Sequence, residues 1–141
     1  MIGKADLLLL LAAAACGWNL DKPMTIRIGS MPSWDEADTI MGDFVLKRAF
    51  HKLKQDGDLP ENLLLEIHRS TACNASEAPA KAAELYLKHQ IDAILGVACT
   101  EGLEPVGKLM AGWNRPVISN LARGNSITNK APFQPFYHLT F

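Results

Sequence analysis

The sequence lacks an apolar stretch long enough to cross a bilayer, and it lacks an excess of charge of either sign. Its longest apolar run spans residues 7–15, whereas a membrane-spanning helix needs about 20 residues. The 14 Lys and Arg residues are balanced by 15 Asp and Glu residues, which gives a formal net charge of −1. These absences exclude a transmembrane segment within these residues, and they argue against nucleic acid or an anionic membrane surface as a partner.

The chain also lacks the short motifs of nucleotide and metal sites. Residues 29–34 hold one glycine where a dinucleotide-binding turn has three, and residues 96–102 lack the Lys-Ser/Thr ending of a phosphate loop. The four histidines are isolated, and neither Cys73 nor Cys99 has a cysteine or histidine neighbour at ligand spacing. We therefore expect no nucleotide cofactor and no metal site.

What the sequence does contain is an alternation of strand-like and helix-like segments. Its 141 residues, 48% apolar and 21% charged, have the length and composition of one globular domain. Apolar residues at helical spacing predict three helices, each lying between two strands. This order predicts an α/β fold, a parallel sheet with right-handed crossovers and helices on both faces. The predicted strands are residues 25–29, 63–68, 93–97, 116–119 and 136–141.

Three finer expectations concern single elements. Apolar residues spaced along 37–53 predict an amphipathic first helix that ends in the turn at 55–58. The second strand, 63–68, is mostly apolar and is therefore predicted to be buried on both faces. Ser76 is predicted to cap the second helix, because its hydroxyl can accept from a free backbone N–H group.

The first residues have the layout of a signal for export. Lys4 precedes the apolar run 7–15, and Ala13-x-Ala15 offers the small side chains that a signal peptidase accepts. We interpret residues 1–16 as a signal peptide; the alternative is a buried N-terminal helix. A bacterial lipoprotein site at Cys16 is a further alternative, although Ala13 stands where Leu, Val or Ile is more typical.

Two further features agree with export. Removal of the signal leaves Cys73 and Cys99 as an even pair, and both follow predicted strands at the same edge of the sheet. We expect a disulfide between them; a reactive Cys99 thiol at a helix start is the alternative. Asn74-Ala75-Ser76 is an N-glycosylation sequon, so Asn74 is the expected glycan site. The chain is thus predicted to be secreted or to lie on the extracellular face of the plasma membrane.

A parallel sheet of this kind binds ligands beyond the carboxyl ends of its strands. The backbone N–H groups of Ala98, Cys99 and Thr100 are predicted to point outward there, at the start of the third helix. Such a position favours a small anion or a ligand carboxylate. The alternative is that Thr100 only caps the helix. The segments expected at this edge are 30–34, 70–74, 97–102 and 120–125.

Residues 93–106 and 111–119 resemble the strand-loop-helix element of natriuretic-peptide-receptor-like ectodomains. The first reads AILGVACTEGLEPV, and the second, AGWNRPVIS, ends a helix in Trp-Asn before a strand that opens with Pro. Residues 120–130 look most like nematode receptor-type guanylate cyclases. The opening at 26–29 and the spacing of the two cysteines fit as well, so the resemblance covers about 24–141.

The resemblance implies a type I periplasmic-binding-protein fold, of which residues 24–141 form a partial first lobe. It implies a disulfide matching Cys73–Cys99, with chloride as a candidate ion held by the amides of Ala98 and Cys99 and a hydroxyl from Ser70 or Thr71. Val97 stands where the family often has Pro.

The resemblance also bears on function. It implies an extracellular ligand and a homodimer. The sequence does not indicate the chemical type of that ligand. Family ectodomains are several times longer and continue into membrane and cyclase domains. We therefore expect this chain to sense rather than to catalyse, and to be a truncated product, a fragment or a chain that needs a partner. The alternatives are a bacterial solute-binding lipoprotein of the same fold and a small intracellular flavodoxin-like enzyme.

Overall fold

The computed structural model describes residues 22–32, 36–119 and 136–138, and the side chains of 36–40 and 136–138 stand outside that description. The predicted signal peptide, 1–16, lies outside the described residues. So does the expected rim segment 120–125.

The described residues form one parallel sheet whose strands are joined by helices, as predicted. The sheet has five strands in the order β2-β1-β3-β4-β5, and each neighbouring pair is parallel. The observed sheet confirms the predicted α/β class and the predicted alternation of strands and helices. In chain order the elements are β1 (Met24–Met31), α1 (Glu36–Gln55), β2 (Leu63–Arg69), α2 (Glu77–His89), β3 (Ala93–Gly96), α3 (Thr100–Gly112), β4 (Val117–Ser119) and β5 (Phe136–His138).

Helices cover both faces of the sheet, and adjacent residues of β1 show this directly. Successive strand residues point to opposite faces. The Ser30 hydroxyl reaches Asp43 of α1. At Gly29, the preceding residue, an added Cβ would lie 3.2 Å from Leu85 of α2. The helix α1 therefore lies on one face, and α2, with its neighbour α3, lies on the other.

The main core lies between the sheet and the pair α2–α3. It is built from apolar residues of all these elements, which remove their side chains from water and thereby stabilise the fold. Partly buried Tyr86, Leu109 and Trp113 pack against this core. The buried core residues are Met31, Ala78, Ala82, Leu85, Ile91, Ile94, Val97, Leu103, Val106, Met110 and Val117.

The prediction that the second strand is buried on both faces is wrong. β2 lies at the edge of the sheet, and Leu64 is 49% exposed. The connection from β2 to β3 passes over β1, so β3 pairs with the far side of β1 and leaves β2 at the edge. An apolar run indicates that a segment is a strand, but it does not indicate which neighbouring strands and helices bury that strand.

The apolar stripe of the first predicted helix is also less buried than expected. α1 ends at Gln55 as predicted, but Met41, Phe44 and Val45 are 63%, 60% and 58% exposed. Buried Asp43 faces the sheet instead. The helix has apolar residues around much of its circumference, and one sheet face can cover only part of them.

The capping of α2 differs from the prediction. Ser76 does occupy the N-cap position, but its side chain makes no capping hydrogen bond. The acceptor is Asn74, whose Oδ1 receives the backbone N–H of Glu77 at 2.6 Å. Asn74 reaches this donor because the chain turns at 74–76 before the helix begins.

Candidate functional site

The carboxyl-terminal ends of β1, β2 and β3 lie together at one end of the sheet, which we call the rim. The backbone N–H of Ser70, just past β2, donates to the carbonyl of Ser30 at 2.9 Å. The backbone N–H of Val97, just past β3, donates to the carbonyl of Met31. The described parts of three of the four segments expected at the ligand-facing edge are therefore held together by backbone hydrogen bonds; residues 33–34 of the first lie outside the described residues.

A tight turn at Gly96 and Val97 shapes the rim. Gly96 has φ of 112°, and a Cβ placed there would lie 2.6 Å from the carbonyl carbon of Met31. Only glycine accommodates both the conformation and the close backbone contact. Val97 follows with φ of 57° and a fully buried side chain, an unusual conformation for a β-branched residue. The turn anchors the chain in the core immediately before it reaches Cys99.

A disulfide joins Cys73 to Cys99 at this rim. Their Cα atoms are 5.2 Å apart, and the bond closes a loop with a sequence separation of 26. A shallow depression of about 410 Å³ lies beside it, lined by Cys73, Asn74, Cys99, Thr100 and Glu101. The disulfide thus ties the loop after β2 to the start of α3.

The expected anion-binding residues are only partly brought together. Cys99 and Thr100 line the depression, whereas Ala98 and Ser70 are not among its lining residues. Cys99 is the extended N-cap residue of α3, and its carbonyl accepts the N–H of Leu103 at 2.9 Å. Glu101, also in the lining, places a negative charge close to the position proposed for an anion.

Asn74 lies exposed next to the disulfide. Its Oδ1 accepts from the Ser76 hydroxyl at 3.0 Å as well as from the Glu77 backbone, and its Nδ2 donates to the Glu77 carboxylate at 3.2 Å. A glycan would attach at Nδ2, which leaves Oδ1 free to keep capping α2. The sequon and the helix cap are therefore compatible uses of the same side chain.

A buried polar cluster near the rim was missed by sequence reasoning. Asp43 of α1 accepts from the Ser30 hydroxyl at 2.9 Å and from Nε of Arg69. Asp43 and Ser30 are 2% and 3% exposed. The available signal was an acidic residue within an otherwise apolar helix stripe, but the sequence did not show which strand it would face.

A second cluster lies at the opposite ends of the strands. The rings of Tyr86 and Trp113 stack with centroids 4.3 Å apart, and the Arg115 guanidinium lies 5.8 Å from the Tyr86 centroid. Arg115 also pairs with Asp92 at 3.3 Å. Next to them, Leu87 is 72% exposed. We call this set the aromatic–arginine cluster.

Within the part of the chain that the structure describes, no three His, Cys, Asp or Glu side chains are placed to hold a metal ion. In the same part, none of the helices has both the length and the apolar character needed to cross a membrane.

The chain is similar to curated receptor sequences. It is 31% identical over 93 residues to receptor-type guanylate cyclase gcy-8 of Caenorhabditis elegans, a match covering 64% of this chain and 8% of that protein. It is 31% identical over 109 residues to receptor-type guanylate cyclase gcy-23 of the same organism, covering 77% and 10%. The chain thus spans about a tenth of the length of these relatives.

Solved structures with a similar fold include bacterial solute-binding proteins of ABC transporters. One from R. palustris in complex with 4-hydroxybenzoate superposes with a TM-score of 0.61 at 21% identity, covering 81% of this chain and 31% of that one. Another from Rhodopseudomonas palustris BisB5, in complex with 3,4-dihydroxybenzoic acid, gives 0.60 at 18% identity with the same coverage. At this identity the likeness shows the fold alone, that of periplasmic-binding proteins.

Residues 45–141 match the family model described as "Receptor family ligand binding region". The match takes in the second half of α1, β2, the disulfide and the rim turn. The parallel sheet, its helices on both faces and the curated relatives agree with it. The chain therefore belongs to the receptor ligand-binding-region family.

Proposed function

We propose that this chain is an extracellular ligand-sensing module of the receptor guanylate cyclase type, with no enzyme activity of its own. The match of residues 45–141 to the ligand-binding region carries this proposal. The match to gcy-8 covers 8% of that receptor. Signal output belongs to other parts of such receptors.

Two features of the rim support an extracellular location. The Cys73–Cys99 bond fits an oxidising compartment, where structural disulfides persist. The Asn74 side chain is exposed, and its Nδ2 can accept a glycan without loss of the helix cap. The proposal adds that residues 1–16 direct the chain to this compartment and are then removed.

Expression of the full chain in insect cells tests this proposal. We expect the product in the medium, beginning after residue 16, with both thiols bonded and a glycan on Asn74 that peptide N-glycosidase removes. Mass spectrometry of the purified product reads all three. Retention in the cytosol with an intact Met1 and free Cys73 and Cys99 thiols would overturn the proposal. A diacylglyceryl group on Cys16 in a bacterial host would favour the solute-binding lipoprotein instead.

We further propose that the rim binds a small anion, with chloride as the candidate. The candidate donors are the backbone N–H groups of Ala98, Cys99 and Thr100, at the start of α3, and the hydroxyl of Ser70. Cys99 and Thr100 line the depression, so Ala98 and Ser70 would have to approach the ion from outside it. Glu101 opposes binding by its charge. An ion held here would add to the disulfide in fixing the start of the helix.

Thermal unfolding in sodium chloride and in sodium gluconate at equal ionic strength tests the anion. We expect a higher midpoint in chloride, because a ligand that binds the folded state stabilises it. Glu101→Gln should enlarge the difference and Ser70→Ala should reduce it. Equal midpoints in the two salts for all three proteins would refute the site.

We also propose that the chain forms a homodimer through the aromatic–arginine cluster, at the C-terminal ends of α2 and α3. Tyr, Trp and Arg are the residues most enriched at the energetic centres of protein interfaces, and Leu87 presents an exposed side chain beside them.

Light scattering after gel filtration should give twice the monomer mass for the wild type and the monomer mass for Leu87→Glu. Glu84→Gln on the same helix is the matched control and should stay dimeric; a wild-type monomer at high micromolar concentration would rule the interface out.

A further inference from the structure

A basic pocket opens along the outer edge of β2 and has no part in the function proposed above. It encloses about 440 Å³, and its polar lining comes from α1, β2 and α2. We propose that this pocket is a binding site for a doubly charged oxyanion of the sulfate or phosphate type. The polar residues concerned are Asp43, Lys47, His68, Arg69 and His89.

The charges of the lining favour an anion. Lys47 and Arg69 are permanently positive, and Asp43 carries the one carboxylate of the lining, so the pocket has a net charge of +1 with both histidines neutral. Asp43 is 2% exposed, and its oxygens already accept from Ser30 and from Nε of Arg69. The remaining N–H groups of the Arg69 fork and the Lys47 ammonium are geometrically suited to oxyanion oxygens.

The two histidines add a second observation. The rings of His68 and His89 stack with centroids 3.9 Å apart and an interplanar angle of 15°. Nε2 of His68 is buried and, among the described residues, has no hydrogen-bond partner. A buried polar atom without a partner is costly, and an oxyanion in the pocket would supply its acceptor.

Charged groups also surround the histidine pair. Glu66 Oε2 lies 3.7 Å from Nε2 of His68 and is also paired with Arg27. Next to His89 in the chain, Lys88 is paired with Glu84. Consecutive residues of β2 point to opposite faces of the sheet. An oxyanion at the outer edge of β2 would therefore meet Lys47 and Arg69 from one face and the two imidazole rings from the other.

Titration of the full chain with sodium sulfate at neutral pH tests the site, because sulfate is a dianion there. We expect saturable shifts of the His68 and His89 imidazole resonances by NMR, with a dissociation constant on the order of 1–10 mM. Lys47→Gln and His89→Gln should each weaken binding about fivefold. Both side chains lie on exposed helix positions, so neither change threatens the fold.

Matched controls separate the site from general screening. Lys52→Gln and His51→Gln remove the same charges from α1 outside the pocket and should leave sulfate affinity unchanged. Sodium chloride at equal ionic strength should not shift the two resonances. Ser70→Ala, which tests the rim, should leave sulfate binding intact, so failure of one site is distinguishable from failure of the other.

The proposal fails on either of two results: no saturable shift of the His68 and His89 resonances, or equal weakening of sulfate binding by Lys47→Gln and Lys52→Gln. A parallel titration at about pH 8 with glucose 6-phosphate tells the source of the anion, because a phosphate monoester carries two negative charges above its second pKa of about 6. Tighter binding of the sugar phosphate assigns the pocket to phosphate monoesters, and weaker binding assigns it to the free ion.

Discussion

Asp43 and Arg69 form an ion pair whose two side chains differ in burial. Removal of one or the other should therefore lower the stability of the fold by different amounts. The Asp43 side chain is 3% exposed, whereas that of Arg69 is 49% exposed. Loss of the arginine leaves a carboxylate buried with only Ser30 to compensate it. Loss of the charge on Asp43 leaves an arginine that can turn to water. We therefore predict that Arg69→Gln lowers the free energy of unfolding by about 3 kcal/mol and Asp43→Asn by about 1 kcal/mol.

Urea denaturation of both variants measures the difference. Arg48→Gln, at an exposed position of α1, is the control and should change stability by less than about 0.5 kcal/mol. If Asp43→Asn costs as much as Arg69→Gln, the burial of the carboxylate is not the reason for the pairing.

Asn74 combines a helix cap with a sequon, and three substitutions separate the two. Asn74→Asp keeps an acceptor oxygen but cannot carry a glycan, and Ser76→Ala removes the sequon but keeps the Asn74 cap. Asn74→Ala removes both. In unglycosylated protein we predict a loss of about 1 kcal/mol for Asn74→Ala only, measured by thermal unfolding. A similar loss in Ser76→Ala would show that the serine hydroxyl, and not Asn74, holds the helix start.

At this scale the sequence revealed local features and missed distant ones. Cys73, Cys99 and the Asn74 sequon carry their meaning in their residue types and immediate neighbours, so they could be singled out. The Asp43–Arg69 pair depends on which helix turn meets the edge strand, and the two residues are 26 positions apart. The stacked pair of His68 and His89 was missed for the same reason, because each histidine looks isolated in the sequence.

At the scale of elements, α2 carries an ion network whose pH dependence has a definite sign. The hydrogen bond and charge of Lys88, followed by the charge of Lys81, lower the pKa of Glu84 below its ordinary value. A carboxyl group with a lowered pKa in the folded state stabilises the protein above its unfolded pKa. That contribution is lost as pH falls through the folded pKa.

We therefore predict that Lys88→Met raises the titration midpoint of the Glu84 carboxyl towards its ordinary value. The stability difference between wild type and variant should be present at pH 7 and disappear at acid pH. Carbon-detected NMR of the carboxyl group gives the midpoint. Lys108→Met, which breaks the equivalent pair with Glu104 on α3, is the control and should not move it.

The order and type of the elements could be predicted from the sequence. Which of their faces are buried by neighbouring elements could not. Strand-like runs and helical spacing are local, and they placed the elements close to their observed ends. Whether Leu64 or Phe44 is covered depends on the strand order. That strand order depends on the crossover from β2 to β3, and it cannot be predicted from the residues of any single segment.

At the scale of the whole molecule, the two faces of the sheet differ in how well they are covered. On one face α3 buries Gly102, Leu103, Val106, Gly107 and Met110. On the other, Asp43 is the one buried residue among the described side chains of α1. Few buried apolar contacts permit local opening at low free energy. We therefore predict that amides of α1 and β2 exchange with solvent at least tenfold faster than those of α3 and β3.

Hydrogen-exchange mass spectrometry, corrected for intrinsic rates, tests this order. Protection of α1 equal to that of α3 in a monodisperse sample would show that α1 is held by contacts its exposed side chains do not suggest. Addition of sulfate should slow exchange in β2 and in the parts of α1 and α2 that line the pocket.

The turn at Gly96 has a consequence for how this chain can diverge in evolution. It brings the backbones of β1 and β3 closer than any side chain at position 96 would permit, and it does so without using the residues that face the solvent beyond it. Substitutions elsewhere in the loops at 70–76 and 98–101 would therefore leave this frame in place as long as Cys73, Cys99 and Asn74 are kept. Position 96 itself admits glycine alone.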